Sequence, residues 1–246
     1  MQYIKGLDAF DGRNHTAVTL GKFDGLHRGH QKLLNRIMKY AQKEDCDSVV
    51  CAFDMDRDCL MTNEERRAFL EDKVDYLIEI PFTREMMEME AEKFIDEILH
   101  KKLHASHIVV GTDFNFGHEK RGNHQMLEKY AAKYGYTVDV VEKAYYKDRE
   151  ISSTYIRELL LDGNVPLANE LLGYPYEITS VVEHGQQLGR TLGFPTMNLA
   201  PQEKKILPKY GVYACRVLVD GVWYGGVGNA GVKPTVAQEK RRLFEV

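Results

Sequence analysis

Apolar positions in the first two-thirds of the chain fall in short continuous runs separated by stretches with helical spacing. Ala17-Val18-Thr19-Leu20 is long enough for a buried strand, and Leu33, Leu34, Ile37, Met38 and Ala41 then recur on one helical face. Val49 to Phe53 predicts a second strand. Tyr76 to Ile80 predicts a third, stopped by Pro81. Phe94, Ile95, Ile98 and Leu99 mark a helix and Ile108-Val109-Val110 a further strand. Met126, Leu127, Tyr130 and Ala131 mark another helix with Gly135 as its C-cap, and Val138 to Val141 closes the series. Alternation of this kind predicts an α/β unit, a parallel sheet covered by helices on both faces.

The texture changes at the breaker cluster Gly173-Tyr174-Pro175. Downstream the runs are short, β-branched and punctuated by glycine. Asp220-Gly221 sits between two apolar arms, Val217-Leu218-Val219 and Val222-Trp223-Tyr224, a hairpin signature. Two domains are expected, residues 1–173 (α/β) and 174–246 (β), the second a small antiparallel barrel.

Composition narrows the partners. Of 246 residues, 43% are hydrophobic and 28% charged, with a net charge of −4. That balance argues against a nucleic-acid groove or a basic membrane patch, so an anionic small molecule must be held by local features. No apolar run is long enough to span a bilayer, and Met1 to Lys5 opens no signal core. Cys46, Cys51, Cys59 and Cys215 form no CxxC pair, which favours reduced thiols and a cytoplasmic chain.

The most informative segment is Gly21-Lys22-Phe23-Asp24-Gly25-Leu26-His27-Arg28-Gly29-His30, at a strand-to-helix junction. Helix N-termini carry unpaired N–H groups and partial positive charge, so they attract phosphate. Gly21, Gly25 and Gly29 allow close backbone approach and unusual dihedrals. His27 and His30, three apart, can face one anion and donate to it, more strongly if protonated. A surface histidine, a metal-binding pair or a plain tight turn are the simpler readings. No third metal ligand has a matching spacing, and two histidines around a glycine at this junction favour the phosphate site. Further on, Ser152 or Ser153 can cap a helix, with Thr154 at its positive end and Arg157 one turn later.

These residues resemble the HxGH nucleotidylyltransferases, and the string GKFDGLHRGH resembles the N-terminal domain of bifunctional riboflavin kinase/FAD synthetases. Gly111-Thr112-Asp113-Phe114-Asn115-Phe116-Gly117 with Arg121 and Gly122, and Ile151-Ser152-Ser153-Thr154-Tyr155-Ile156-Arg157, resemble two further blocks of that family. Leu60-Met61-Thr62 and Ile80-Pro81-Phe82-Thr83 also stand where its pattern places them. The resemblance implies a Rossmann-like domain that transfers AMP from ATP to FMN, giving FAD and pyrophosphate, with Mg²⁺ as cofactor. It implies His27, His30 and Arg157 as catalytic. Gly21, Phe23, Asp24, Gly25, Ser153 and Thr154 would complete the ATP site, and Asp113, Asn115 and Arg121 would shape the flavin or nucleotide pocket. The family carries a proline- and histidine-bearing loop after the second strand. Here that stretch reads Phe53-Asp54-Met55-Asp56-Arg57-Asp58, with neither.

The second domain carries Gly189-Arg190-Thr191-Leu192-Gly193-Phe194-Pro195-Thr196-Met197-Asn198, which resembles the riboflavin kinase signature GRxLGFPTxN. Pro208 to Ala214 and Gly226 to Thr235 resemble two more of its blocks. Thr196 and Asn198 offer hard oxygen donors suited to Mg²⁺ and ATP phosphates. The glycine-rich stretch containing Gly185, Gly189 and Arg190 can close over them. By position, Glu245 is implied as the base that takes the proton from the ribityl hydroxyl of riboflavin. Gly226, Gly228 and Gly231 spell G-x-G-x-x-G in a hairpin setting, which argues against a dinucleotide fold. With the kinase's later strands absent from the sequence, the expectation is an incomplete barrel with an open edge and a poorly held Glu245.

Two other readings compete: a nucleotidylyltransferase acting on a different phosphate acceptor, and a silent module that binds flavin or ATP without chemistry.

Overall fold

The structure, a computed structural model, describes residues 1–54, 58–183, 196–234 and 240–246. The chain packs as two compact units: Met1–Arg57 with Asn63–Ser152, and Asp58–Thr62 with Ser153–Val246. The turn to β appears near residue 173 in the sequence. Packing instead assigns the two helices before it to the second unit.

The first unit contains β1 (Gln2–Lys5), β2 (His15–Gly21), α1 (Arg28–Lys43), β3 (Cys46–Asp54), α2 (Asn63–Leu70), β4 (Tyr76–Pro81), α3 (Arg84–Glu88) and α4 (Ala91–Lys93). It continues through β5 (Ala105–Gly111), β6 (Asn115–Phe116), β7 (Gly122–Asn123), α5 (His124–Tyr134), β8 (Thr137–Val141), β9 (Tyr145–Tyr146) and β10 (Arg149–Glu150). Six strands pair in the order β1-β4-β3-β2-β5-β8, all parallel. The strands read as unbroken apolar runs because both faces are covered. Val18, Leu20, Val49, Cys51, Ile78 and Ile80 pack with Phe94, Ile95, Leu99 and Leu127, and Leu34 and Ile37 of α1 are also buried.

The expected helix at Phe94–Leu99 is present in a wider form. Phe94–Lys102 is π-helical and continues directly from α4. Closure at i+5 stacks Phe94 over Leu99, so the buried Phe94, Ile95 and Leu99 share a narrower face than an α-helix would give them. The predicted C-cap is present: Gly135 is left-handed at φ 74°, and its N–H donates to the Ala131 carbonyl.

The sheet order fixes where chemistry can occur. From β2 the chain crosses by α1 to β3 on one side, while β5 lies on the other side of β2. The carboxyl ends of β2 and β5 therefore flank a topological switch point, where open α/β sheets form ligand crevices. The turn Gly21–His27 leaves the sheet there.

The second unit begins with α6 (Ser153–Asp162) and α7 (Val165–Leu172). Asn164 caps α7 with its side chain, and the left-handed Gly173 ends it. The strands β11 (Val182–Glu183), β12 (Asn198–Leu199), β13 (Gly211–Val219), β14 (Val222–Pro234) and β15 (Lys240–Glu245) form one antiparallel sheet in the order β11-β12-β15-β14-β13. Asp220 and Gly221 both have positive φ, 48° and 79°, and join β13 to β14 in the two-residue hairpin expected of Asp-Gly. β13 is an edge strand, with Val212 and Leu218 exposed. Gly226, Gly228 and Gly231 lie inside β14, so the G-x-G-x-x-G string is part of a strand. A Cβ on Gly228 would meet the Phe244 ring at 2.4 Å, which explains that glycine without any nucleotide.

Candidate functional site

After β2 the backbone turns sharply. Phe23 and Leu26 both hold positive φ, 46° and 36°, beside Gly25 at 81°. Left-handed non-glycine residues are strained and are kept where the surroundings force them. Here the Phe23 and Leu26 side chains are fully buried and anchor the turn. Gln31 Nε2 donates to the Leu26 carbonyl at 2.8 Å, tying the turn to α1. His27 is the N-cap of α1, and its carbonyl accepts the first helical hydrogen bond, from Gln31 N.

The His27 and His30 rings stack, with centroids 3.8 Å apart and planes 22° from parallel. Phe23 meets His30 edge-on at 5.3 Å. The glycines of this motif serve different ends. Only Gly25 uses a left-handed dihedral; Gly29 supplies space, since a Cβ there would come within 3.1 Å of the His27 ring. A Cβ on Gly21 would sit 3.4 Å from the Phe23 ring.

The Nδ1 atoms of both imidazoles are buried, and neither has a hydrogen-bond partner among the described residues. Buried polar atoms are normally satisfied, and these two stand side by side at a helix mouth with hydrogen-bonding capacity to spare. Burial lowers the His27 pKa to about 4. Burial, together with the nearby His27 and Arg66, holds His30 well below its ordinary value. Both rings are therefore neutral at pH 7 before ligand arrives, so the stronger, protonated form of donor is not the resting one. A neutral imidazole still offers one N–H to a phosphate oxygen.

Beyond β5 lie the other expected pocket residues. Asp113 forms an ion pair with Lys143 at 3.0 Å, and Lys143 also meets Glu150 at 2.8 Å. The Asn115 side chain donates to the Asp113 carbonyl at 2.7 Å. Arg121 is exposed and engaged by Glu119 at 2.6 Å and Glu90 at 3.8 Å. The aromatic residues of this block are structural: Phe116 packs on Phe94, with Phe114 stacked beside it. Gly117 and Gly122 are required sterically, because a Cβ would meet Ala91 at 2.7 Å or the Phe116 ring at 2.6 Å.

In the second unit, Ser153 and Thr154 open α6, and Arg157 lies one turn further on. The structure also joins residues far apart in sequence. Thr196 Oγ1 donates to Glu245 Oε1 at 2.8 Å. Asn198 pairs with Glu245 across β12 and β15, and Asn229 of β14 pairs with Glu245 from the other side. Met197 and Val246 exchange two backbone hydrogen bonds of 2.7 and 3.0 Å. Glu245 is thus held from both sides, which corrects the expectation of a loosely held base. Gly185, Gly189 and Arg190 lie outside the described residues, as do Met55, Asp56 and Arg57 of the altered loop.

Residues 11–155 match the FAD synthetase family and residues 172–246 the riboflavin kinase family. The chain belongs to the bifunctional riboflavin kinase/FMN adenylyltransferase family. It is 36% identical to the Escherichia coli K12 enzyme of that name over 238 residues, covering 92% of this chain and 76% of that one. It is 36% identical to the Haemophilus influenzae enzyme, covering 96% and 80%, and 34% identical to one from Buchnera aphidicola of Schizaphis graminum, covering 100% and 83%. Among solved structures, a Streptococcus pneumoniae protein described as a macrolide-efflux protein superposes with a TM-score of 0.87. It shares 30% identity over 99% of this chain and 83% of that one. No helix among the described residues is long and apolar enough to cross a membrane.

Sequence reasoning missed Arg66. The run Glu64-Glu65-Arg66-Arg67 reads as a solvated helix face. Yet Arg66 is 5% exposed, and its charge lowers the His30 pKa. The one available signal was a cation in a helix's first turn, where the dipole disfavours it.

Proposed function

We propose that the first unit makes FAD from FMN and ATP at the turn ending in His30, and that the second unit makes FMN from riboflavin and ATP at Thr196, Asn198 and Glu245. Membership of the bifunctional family supports both reactions. The two buried, unpartnered imidazole nitrogens at the mouth of α1 carry the assignment of the first site.

In the first reaction an oxygen of the FMN phosphate attacks the α-phosphorus of ATP. The new P–O bond forms as the bond from that phosphorus to the bridging oxygen breaks, and pyrophosphate leaves. The reaction needs alignment and charge stabilisation rather than a covalent nucleophile. His27 and His30 donate to the phosphate oxygens, with His30 nearer the charge that develops in the transition state. Asp24 and the backbone from Gly21 to Gly25 shape the cradle. The roles of Ser153, Thr154 and Arg157 toward ATP, and of Asp113, Asn115 and Arg121 toward the flavin side, rest on the motifs that carry them.

In the second reaction Glu245 accepts the proton of the ribityl hydroxyl as that oxygen attacks the γ-phosphorus and ADP leaves. The hydrogen bond from Thr196 fixes the orientation of the carboxylate. Thr196 and Asn198 bring two oxygen-bearing side chains beside the Glu245 base, donors of the kind Mg²⁺ prefers. Bound there, Mg²⁺ would supply charge neutralisation for the ATP phosphates. None of the four cysteines is in a disulfide, which suits a cytoplasmic setting.

Incubation with ATP, Mg²⁺ and either FMN or riboflavin, with products separated by chromatography, tests the assignment. His30→Ala should lower FAD formation by about 10²–10³-fold, the usual loss for a transition-state donor. Unchanged FAD formation in that variant would remove the site. Pyrophosphate release with nicotinamide mononucleotide or phosphopantetheine in place of FMN would favour another acceptor.

A further inference from the structure

The start of α2 carries a buried cation, Arg66, that the two reactions leave unused. We propose that Arg66 is a third member of the ATP phosphate cradle and supplies the fixed positive charge on which the two histidines depend. The inference rests on reading the His27–His30 turn as that cradle.

Topology puts Arg66 at the right edge of the sheet. β2 and β3 are parallel neighbours, and each is followed by a helix that runs back across the sheet. The N-termini of α1 and α2 therefore both lie at the carboxyl edge. His27 and His30 stand in the first turn of α1, and Arg66 is the fourth residue of α2.

The guanidinium is held but not satisfied. Nη2 donates to Asn63 Oδ1 at 2.8 Å, which fixes the plane of the group. Nε and Nη1 are buried and have no hydrogen-bond partner. Among the described residues no carboxylate lies within ion-pair distance of Arg66. A buried cation without a counter-charge is costly, and removing it normally stabilises a fold. Its placement near the positive end of a helix adds to that cost. Such an arrangement persists where a bound anion repays it, and the spare N–H groups on Nε and Nη1 can each reach a phosphate oxygen.

The electrostatics agree. After burial and His27, the charge of Arg66 also helps keep the His30 ring neutral. With both imidazoles uncharged at pH 7, Arg66 is a permanent cation beside a site that must accept a polyanion. The histidines then contribute directed N–H groups and Arg66 contributes charge.

The test uses the full chain with Arg66→Met, Arg66→Lys and His30→Ala, reading kcat and KM for ATP in FAD formation, binding of inorganic pyrophosphate by calorimetry, and Tm without ligand. Arg66→Met should lose about 10²-fold in kcat/KM and at least tenfold in pyrophosphate affinity, while its Tm stays level or rises. Arg66→Lys, which keeps the charge but not the fork, should recover part of both losses. A structural arginine would behave in the opposite way, with a lower Tm in Arg66→Met and a pyrophosphate affinity in Arg66→Met equal to that of the wild type; that result overturns the proposal. Full activity in Arg66→Met with His30→Ala inactive would also overturn it, leaving the histidine site intact. Full activity in both variants would instead sink the reading of the turn itself.

Discussion

Gly29 and His27 are matched in shape: the ring of His27 lies where a side chain on Gly29 would begin, 3.1 Å from an ideal Cβ. The glycine of the motif is thus a spacing device, since its φ is an ordinary helical one. Gly29→Ala should push the His27 imidazole by a few tenths of an ångström and lower FAD formation by about tenfold. Alanine is the better helix former by about 1 kcal/mol, so Tm should hold or rise. Steady-state kinetics beside thermal unfolding checks the split.

Acid should weaken the first unit through His27. Its folded pKa of about 4 lies below the ordinary value of 6.5. Between those limits the unfolded chain binds the proton and the folded one does not. The stability contributed by the neutral ring is therefore complete above pH 6.5 and declines as pH falls toward 4. The decline should reach roughly 2 kcal/mol by pH 5. Urea unfolding at pH 7 and pH 5 should show a smaller difference in His27→Asn than in the wild type.

Much of this could be read from the sequence, and what could not has physical causes. The strands of the first unit are legible because burial on both faces leaves continuous apolar runs. The Asp220-Gly221 hairpin is legible because the turn demands two left-handed residues. The widening of the helix at Phe94–Lys102 is not, since Phe94, Ile95 and Leu99 fit both α and π spacing within the scatter of a short segment. The histidine turn announced itself through local spacing. Arg66 did not, because its neighbours Glu64, Glu65 and Arg67 give it the look of a solvated face. The neutrality of the histidines depends on their burial, with Phe23 packed edge-on against His30, which no local pattern encodes.

The two activities should separate genetically. Glu245→Gln should lower riboflavin phosphorylation by about 10²–10⁴-fold through loss of the general base, and leave FMN adenylylation unchanged. Thr196→Ala frees the Glu245 carboxylate from its 2.8 Å donor and should also impair only the kinase reaction. Flavin product profiles from riboflavin and from FMN, run in parallel, decide both.

Gly228→Ala should destabilise the second unit. The added methyl would lie 2.4 Å from the Phe244 ring, a buried side chain with little room to move. Overpacking of this kind costs about 1–3 kcal/mol. Displacing Phe244 also shifts its neighbour Glu245, so kinase turnover should fall further than the change in melting temperature alone explains. Calorimetry and kinase assays on the same sample provide the comparison.

The position of β15, enclosed by β12 on one side and β14 on the other, sets a timetable for the two chemistries during refolding. The carboxylate at its end gains its surroundings once stretches nearly fifty residues apart have come together, whereas the crevice beside the histidine turn needs β2 and β5, some ninety residues apart in sequence, to pair. Loops of that span close slowly. A chain recovering from denaturant should therefore regain the capacity to make FMN before it regains the capacity to make FAD.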